Sequence, residues 1–128
     1  MELNPALDWA PTAERPRFDP AGHRLTGSRC TACGATSWPA RAICQQCGRA
    51  ATEIAQFGPA GTLISFTTVW VPRPGLEVPY TLGQVVVEGG PAVFGHVRDL
   101  PADARTPFSV TLRIAADDVV PPFWFEPA

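Results

Sequence analysis

Four cysteines stand in two pairs of the same spacing, Cys30-Thr-Ala-Cys33 and Cys44-Gln-Gln-Cys47, with ten residues between the pairs. Each Cys-x-x-Cys turn makes two sulfurs converge on one point. Gly34 and Gly48 follow the pairs, where such a turn often needs a positive φ. Two knuckles supply four thiolates, which fit a closed tetrahedral zinc site. A closed site is structural, because catalysis needs a vacant position for water or substrate. Two disulfides or four unligated core thiols weigh less against this spacing. Iron in a rubredoxin-like tetrathiolate stays open, since the ligand set does not exclude it. A bound ion would supply folding free energy that so short a segment lacks. Trp38 and Ile43, between the knuckles, are expected to shield the site.

The rest of the chain must then fold around a metal module. Its 128 residues allow one ordinary domain, or a small ribbon and a compact β domain. Hydrophobic residues at 45% and charged residues at 17% permit a packed core. Fifteen prolines and eleven glycines favour turns over long helices. Three regions separate by texture. Residues 1–24 hold Pro5, Pro11, Pro16 and Pro20 without a sustained apolar period and read as an extended arm. Leu7, Trp9 and Phe18 give that arm apolar groups to pack on its own domain. Residues 25–57 form the ribbon, entered by a short strand at Leu25–Arg29. Residues 58–128 read as β.

In that last region, 61–71 is rich in β-branched and aromatic residues, and 80–88 is a second strand. Gly89-Gly90-Pro91 turns the chain into 92–98, so these two should form a hairpin. Residues 108–115 alternate apolar and polar positions. Residues 119–125, broken by Pro121-Pro122, are expected to be an edge strand or an extended tail. The segment Asp99 to Thr106 is too short and proline-bounded for much helix. About five short strands imply a small closed barrel, because closure removes exposed edges. The expected class is mainly β, an N-terminal zinc ribbon followed by a small OB-like Greek-key barrel.

Charge and motifs exclude several functions. The formal net charge is −2, and all ten basic residues are arginine. No global basic field exists to draw nucleic acid or anionic lipid. No apolar run is long enough for a membrane span, and the N-terminus shows no secretory pattern. A cytoplasmic location is expected, where reducing conditions favour metal over disulfides. No Gly-x-Ser-x-Gly elbow or Walker loop is present. His23 and His96 are the two histidines, and neither stands with a nucleophile motif. Asp117-Asp118 reads as a solvated turn. Trp70, Trp124 and Phe125 read as core, with a partner interface as the alternative. Arg73, in the proline-rich loop 72–79, and Tyr80 border the face that OB barrels use for ligands. A proline-stiffened connection is the plainer reading of that loop.

Cys-x-x-Cys-Gly, Pro39 before the second knuckle, the strand Gly61-Thr62-Leu63-Ile64-Ser65 and the opening Pro79-Tyr80 together resemble a known family. It comprises acyl-CoA-associated OB-fold proteins with a rubredoxin-like zinc ribbon, catalogued as domain of unknown function thirty-five. The closing Phe123-Trp124-Phe125-Glu126-Pro127 is similar to the family's Phe-x-Pro ending. The resemblance spans residues 25–127. It implies zinc ligation by Cys30, Cys33, Cys44 and Cys47, and no catalytic residue. It also implies an accessory subunit for a thiolase, a thiolase-like aldolase or a hydratase acting on acyl-CoA. Arg73 and Tyr80 are the nominees for contact with the CoA moiety. The chain departs from the family in its arm, which lacks the paired-aromatic helix pattern, and at Thr106-Pro107-Phe108, where an Ile-Gly step is common. The alternative function is a single-stranded nucleic-acid binder, which would want a basic groove with stacked aromatics.

Overall fold

The computed structural model describes residues 17–115 and 121–128. Leu7 and Trp9 of the arm, and Asp117-Asp118, lie outside the described residues. Among the described residues every regular element is a strand, and no helix is long and apolar enough to cross a membrane.

The first sheet is organised by β2 (Arg24–Cys30). β1 (Phe18–Asp19) and β3 (Thr36–Ser37) pair with it antiparallel at separate stretches, and β4 (Thr52–Phe57) runs beside it for six residue pairs. Phe18, Asp19 and Arg24, within the expected arm, therefore lie in this sheet. β2 buries Leu25, Thr26, Gly27 and Ser28 in succession rather than alternately. Both faces are covered there. A Cβ on Gly27 would meet the Ser37 carbonyl oxygen at 2.2 Å and the Phe57 ring at 2.7 Å, so only glycine lets these elements approach. The buried hydroxyls find partners. Thr26 Oγ1 donates to Gln56 Oε1 at 2.9 Å, and Ser28 Oγ accepts the Arg41 amide at 3.0 Å.

The second sheet closes on itself. β5 (Ala60–Val69), β6 (Tyr80–Val87), β7 (Ala92–Val97), β8 (Phe108–Ile114) and β9 (Phe123–Pro127) form a barrel in the order β5-β6-β7-β9-β8. All neighbours are antiparallel except β7 and β9. This is the expected mainly-β class with an OB-like barrel. Strand alternation aims Leu63, Val85, Val87, Val93, Val97, Val110, Leu112 and Phe125 inward. Leu25 and Phe57 come from the first sheet and join the same cluster, both fully buried. Ribbon and barrel thus share one core.

Three expectations need correction. The tail is no edge strand: β9 pairs with β7 on one side and β8 on the other, and it closes the barrel. Pro121 and Pro122 precede the strand, so they remove no hydrogen bond from it. Trp38 does not shield the cysteines. Its ring packs on Phe18 and Phe123, with centroids at 5.9 and 5.3 Å, and its Nε1 donates to the Arg17 carbonyl at 2.9 Å. Ile43 is exposed. Trp70, expected in the core, is 69% exposed, whereas Phe125 is fully buried as expected.

Candidate metal centre

The two knuckles are built alike. The Cys30 amide donates to Ala35 at 2.8 Å and the Cys44 amide to Arg49 at 2.9 Å. The Gly34 amide closes the first turn on the Cys30 carbonyl at 2.9 Å, and the Gly48 amide closes the second on Cys44 at 3.0 Å. Both glycines hold the left-handed conformation, at φ 80° and 75°. β2 delivers Cys30 from the sheet, and Thr31 ties the first knuckle to Ala51 through both its amide and its hydroxyl.

This construction brings the four sulfurs within 4.8 Å of one another. Cys30 Sγ lies 3.6 Å from Cys47 Sγ, and Cys33 Sγ lies 3.5 Å from Cys44 Sγ. A tetrahedron with metal–sulfur bonds of about 2.3 Å has sulfur–sulfur edges of about 3.8 Å. The donor set fits zinc in both type and spacing. These distances are too long for disulfides, and all four thiols are free. Cys30 and Cys44 are buried, while Cys33 and Cys47 face out.

The local field prepares the sulfurs unequally. The amides of Cys47 and Gln46 point at Cys44 Sγ from 3.5 and 3.4 Å and pull its pKa down to about 6. Cys30 is lowered chiefly by the amide of Cys33. Cys33 goes the other way, to about 12. The Ala35 amide lowers it, but burial and the neighbouring thiols outweigh that amide. Crowded thiols without a cation share out their charge in this way, and a divalent ion removes the conflict.

Arg73 and Tyr80 come together on a second feature. Both line a concavity of about 450 Å³ with Val69, Val71, Leu76, Leu82 and His96. Arg73 accepts the Leu76 amide at 3.1 Å in a turn around Gly75, whose φ is 80°. The Tyr80 and His96 rings lie 5.2 Å apart, placed by the Leu82–His96 register between β6 and β7. Burial, then the nearby Arg98 guanidinium, lowers the His96 pKa and favours the neutral ring. The sequence marks His96 only by its lack of a nucleophile motif and does not join it to Tyr80; the hairpin register was the signal that could have done so. Arg98 in turn stacks over Trp124 at 3.9 Å. His23, at φ 50°, accepts the Ile114 amide on Nδ1 at 3.1 Å.

Comparison with known proteins agrees with both halves of this architecture. Residues 19–53 match the family model described as ChsH2, rubredoxin-like zinc ribbon domain, and residues 55–115 match ChsH2, C-terminal OB-fold domain. A DUF35 domain-containing scaffold protein of Methanothermobacter thermautotrophicus is 31% identical over 91 residues, covering 69% of this chain and 68% of that protein. A protein of the same description from Pyrococcus furiosus is 38% identical over 80 residues, 61% of this chain and 58% of its own length. Among solved structures, the Ltp2-ChsH2(DUF35) aldolase superposes with a TM-score of 0.67 at 22% identity, covering 84% of this chain and 87% of that one. A DUF35 family protein of unknown function from Sulfolobus solfataricus superposes with a TM-score of 0.60 at 17% identity, covering 93% and 87%. The matched ribbon and barrel, in this order and around these knuckles, show that the chain belongs to the DUF35 family, in the ChsH2-type form of a rubredoxin-like zinc ribbon followed by an OB-fold domain.

Proposed function

We propose that this chain is a non-catalytic accessory subunit of an acyl-CoA-processing enzyme complex, with a thiolase or thiolase-like aldolase as its partner. The observation that carries the proposal is the joined ribbon and barrel, in a family whose similar members are described as scaffold proteins. The aldolase structure of the same fold, which bears the names Ltp2 and ChsH2, adds support. The chain's own chemistry points the same way. His23 Nδ1 is taken up by a backbone amide, and His96 lies against Tyr80 rather than beside a nucleophile. The strands β5, β6 and β7 carry the face by which OB barrels hold nucleic acid, and they contain no lysine or arginine.

In this reading Cys30, Cys33, Cys44 and Cys47 hold a zinc ion, which when bound supplies structural cross-linking and no reaction chemistry. The Arg73 guanidinium offers a fork for a phosphate, and the Tyr80 ring offers a stacking surface, at the edge of the concavity where the CoA moiety would pass. The subunit works in the cytoplasm, without a membrane partner.

Affinity purification from native extract, with metal analysis of the eluate, tests the proposal. Recovery of a thiolase-fold or hydratase subunit with about one zinc per chain supports it. Recovery of the chain alone, or with RNA that resists moderate salt, contradicts it.

A further inference from the structure

β5 is paired on both sides for only part of its length. Toward β6 its register runs to Val69–Tyr80, but toward β8 it ends at Leu63–Phe108. The cause is local. β8 begins directly after Pro107, which has no amide to continue the ladder, and a bulge at Ile64 shifts the register of β5 at that point. Residues Ser65–Val69 therefore have a partner on one side, and among the described residues none on the other.

The hydrogen-bond phase identifies the groups left at the open side. The Glu88 amide donates to Ala60, and the Leu112 amide donates to Pro59, both at 2.8 Å. Alternate β5 residues therefore address β6 and β8 up to Leu63. On β6, the phase set by Glu88 carries Gln84, Leu82 and Tyr80 toward β5, opposite Ser65, Thr67 and Val69. The amides and carbonyls of Phe66 and Thr68 consequently point outward. Side-chain alternation places Phe66, Thr68 and Trp70 on one face of this projecting hairpin. Phe66 is 43% exposed and Trp70 69%.

Sheet edges in soluble proteins are usually blunted by charge, proline or a covering loop. This stretch, Ser65-Phe66-Thr67-Thr68-Val69, carries no charge and no proline, and among the described residues no loop pairs with its open side; its β-branched residues favour an extended partner. An outward ladder of alternating donors and acceptors beside exposed aromatics selects an extended polypeptide. A polynucleotide would need cations, and this hairpin's strands have none.

We infer that the open edge of β5, at Phe66 and Thr68, receives an extended segment of the partner enzyme as an added strand, its side chains packing on Phe66 and Trp70. This rests on the accessory-subunit reading and names the docking element within it. An alternative occupant is a second copy of this chain, pairing edge to edge.

The test uses the intact chain and the enzyme subunit that co-purifies with it. Thr68→Pro removes an amide that the protein's own sheet does not use, so the β5–β6 ladder and the metal content should persist. The expected result is a loss of affinity for the enzyme of about tenfold or more. Slowed hydrogen exchange at the Phe66 and Thr68 amides is also expected in the wild-type complex. If Thr68→Pro does not fold, Thr68→Lys keeps the amide and places a charge at the edge, with the same expectation. Native affinity in a folded variant, or unprotected amides in the complex, overturns the edge assignment while the accessory reading stands. Protection that rises with concentration in the chain alone, together with a dimer in sedimentation, assigns the edge to self-pairing and also overturns it. Failure to recover any enzyme subunit defeats both readings.

Discussion

Arg29 of the ribbon sheet lies over the Phe57 ring, its guanidinium carbon 5.9 Å from the centroid, and donates through Nη2 to the Gly89 carbonyl at 2.9 Å. Gly89 belongs to the turn between β6 and β7, so one side chain ties the metal module to the barrel hairpin. Next to it, a Cβ on Gly90 would strike the Phe57 ring at 2.5 Å, which shows how closely that turn seats on the ribbon. Arg29→Ala removes a side-chain hydrogen bond and a cation–π contact at an exposed site. It should cost about 1 kcal/mol, read as a lower urea midpoint at unchanged metal content. An unchanged midpoint would mean that the shared apolar core alone joins the two parts.

Because Leu25 and Phe57 sit in the barrel's own cluster, losing the metal should be felt beyond the ribbon. Cys30→Ser, or a chelator acting on the wild-type chain, should release zinc and unfold the knuckles. It should also slow or abolish recovery of the enzyme partner, although no catalytic residue is touched. Metal analysis and a pull-down of the same sample check this. A metal-free chain that still binds its enzyme at native strength would separate the metal from assembly.

Gly27→Ala tests the close approach of β2 to β3. The added methyl meets a backbone oxygen, which cannot rotate away as a flexible side chain could. The expected cost is about 1–3 kcal/mol in chemical denaturation. Phe125→Ala tests closure through β9 instead. It empties a fully buried ring site in the centre of the core and should cost about 3–5 kcal/mol.

Glu126 is held below the usual carboxylate range, first by the Arg113 Nε–H at 2.7 Å and then by the Trp124 Nε1–H at 3.2 Å. A carboxylate with a lowered folded-state pKa stabilises above its unfolded value of about 4.3, and that contribution is lost as pH falls through the folded pKa. The pair is substantially exposed, so solvent screening limits it to about 0.5–1 kcal/mol. Glu126→Gln should therefore lower the melting temperature at pH 7, and much less in strong acid, where the wild-type carboxyl is itself neutral. Equal losses at both pH values would assign the effect to packing.

The parts legible in the sequence were those with local causes. Cys-x-x-Cys-Gly fixes a knuckle within five residues, and the knuckles meet as their spacing implied. The Gly89-Gly90-Pro91 turn between two apolar runs marks the β6–β7 hairpin without help from the rest of the fold. Non-local pairings were hidden. β9 owes its place to two strands far back in the chain, and nothing in Phe123–Pro127 announces a parallel partner in β7. Trp38 sits between the knuckles in sequence, yet β1 and the start of β9 supply its contacts. Arg73 and Tyr80 were nominated from loop position, and their meeting with His96 depends on sheet register.

The most direct test of the accessory-subunit account is acyl-CoA turnover by the co-purified enzyme, measured without this chain and after adding it back. The account predicts no turnover by the chain alone, weak turnover by the enzyme alone, and recovery on reconstitution with the zinc-loaded chain. Full activity of the enzyme without the chain, or turnover by the chain by itself, would contradict it.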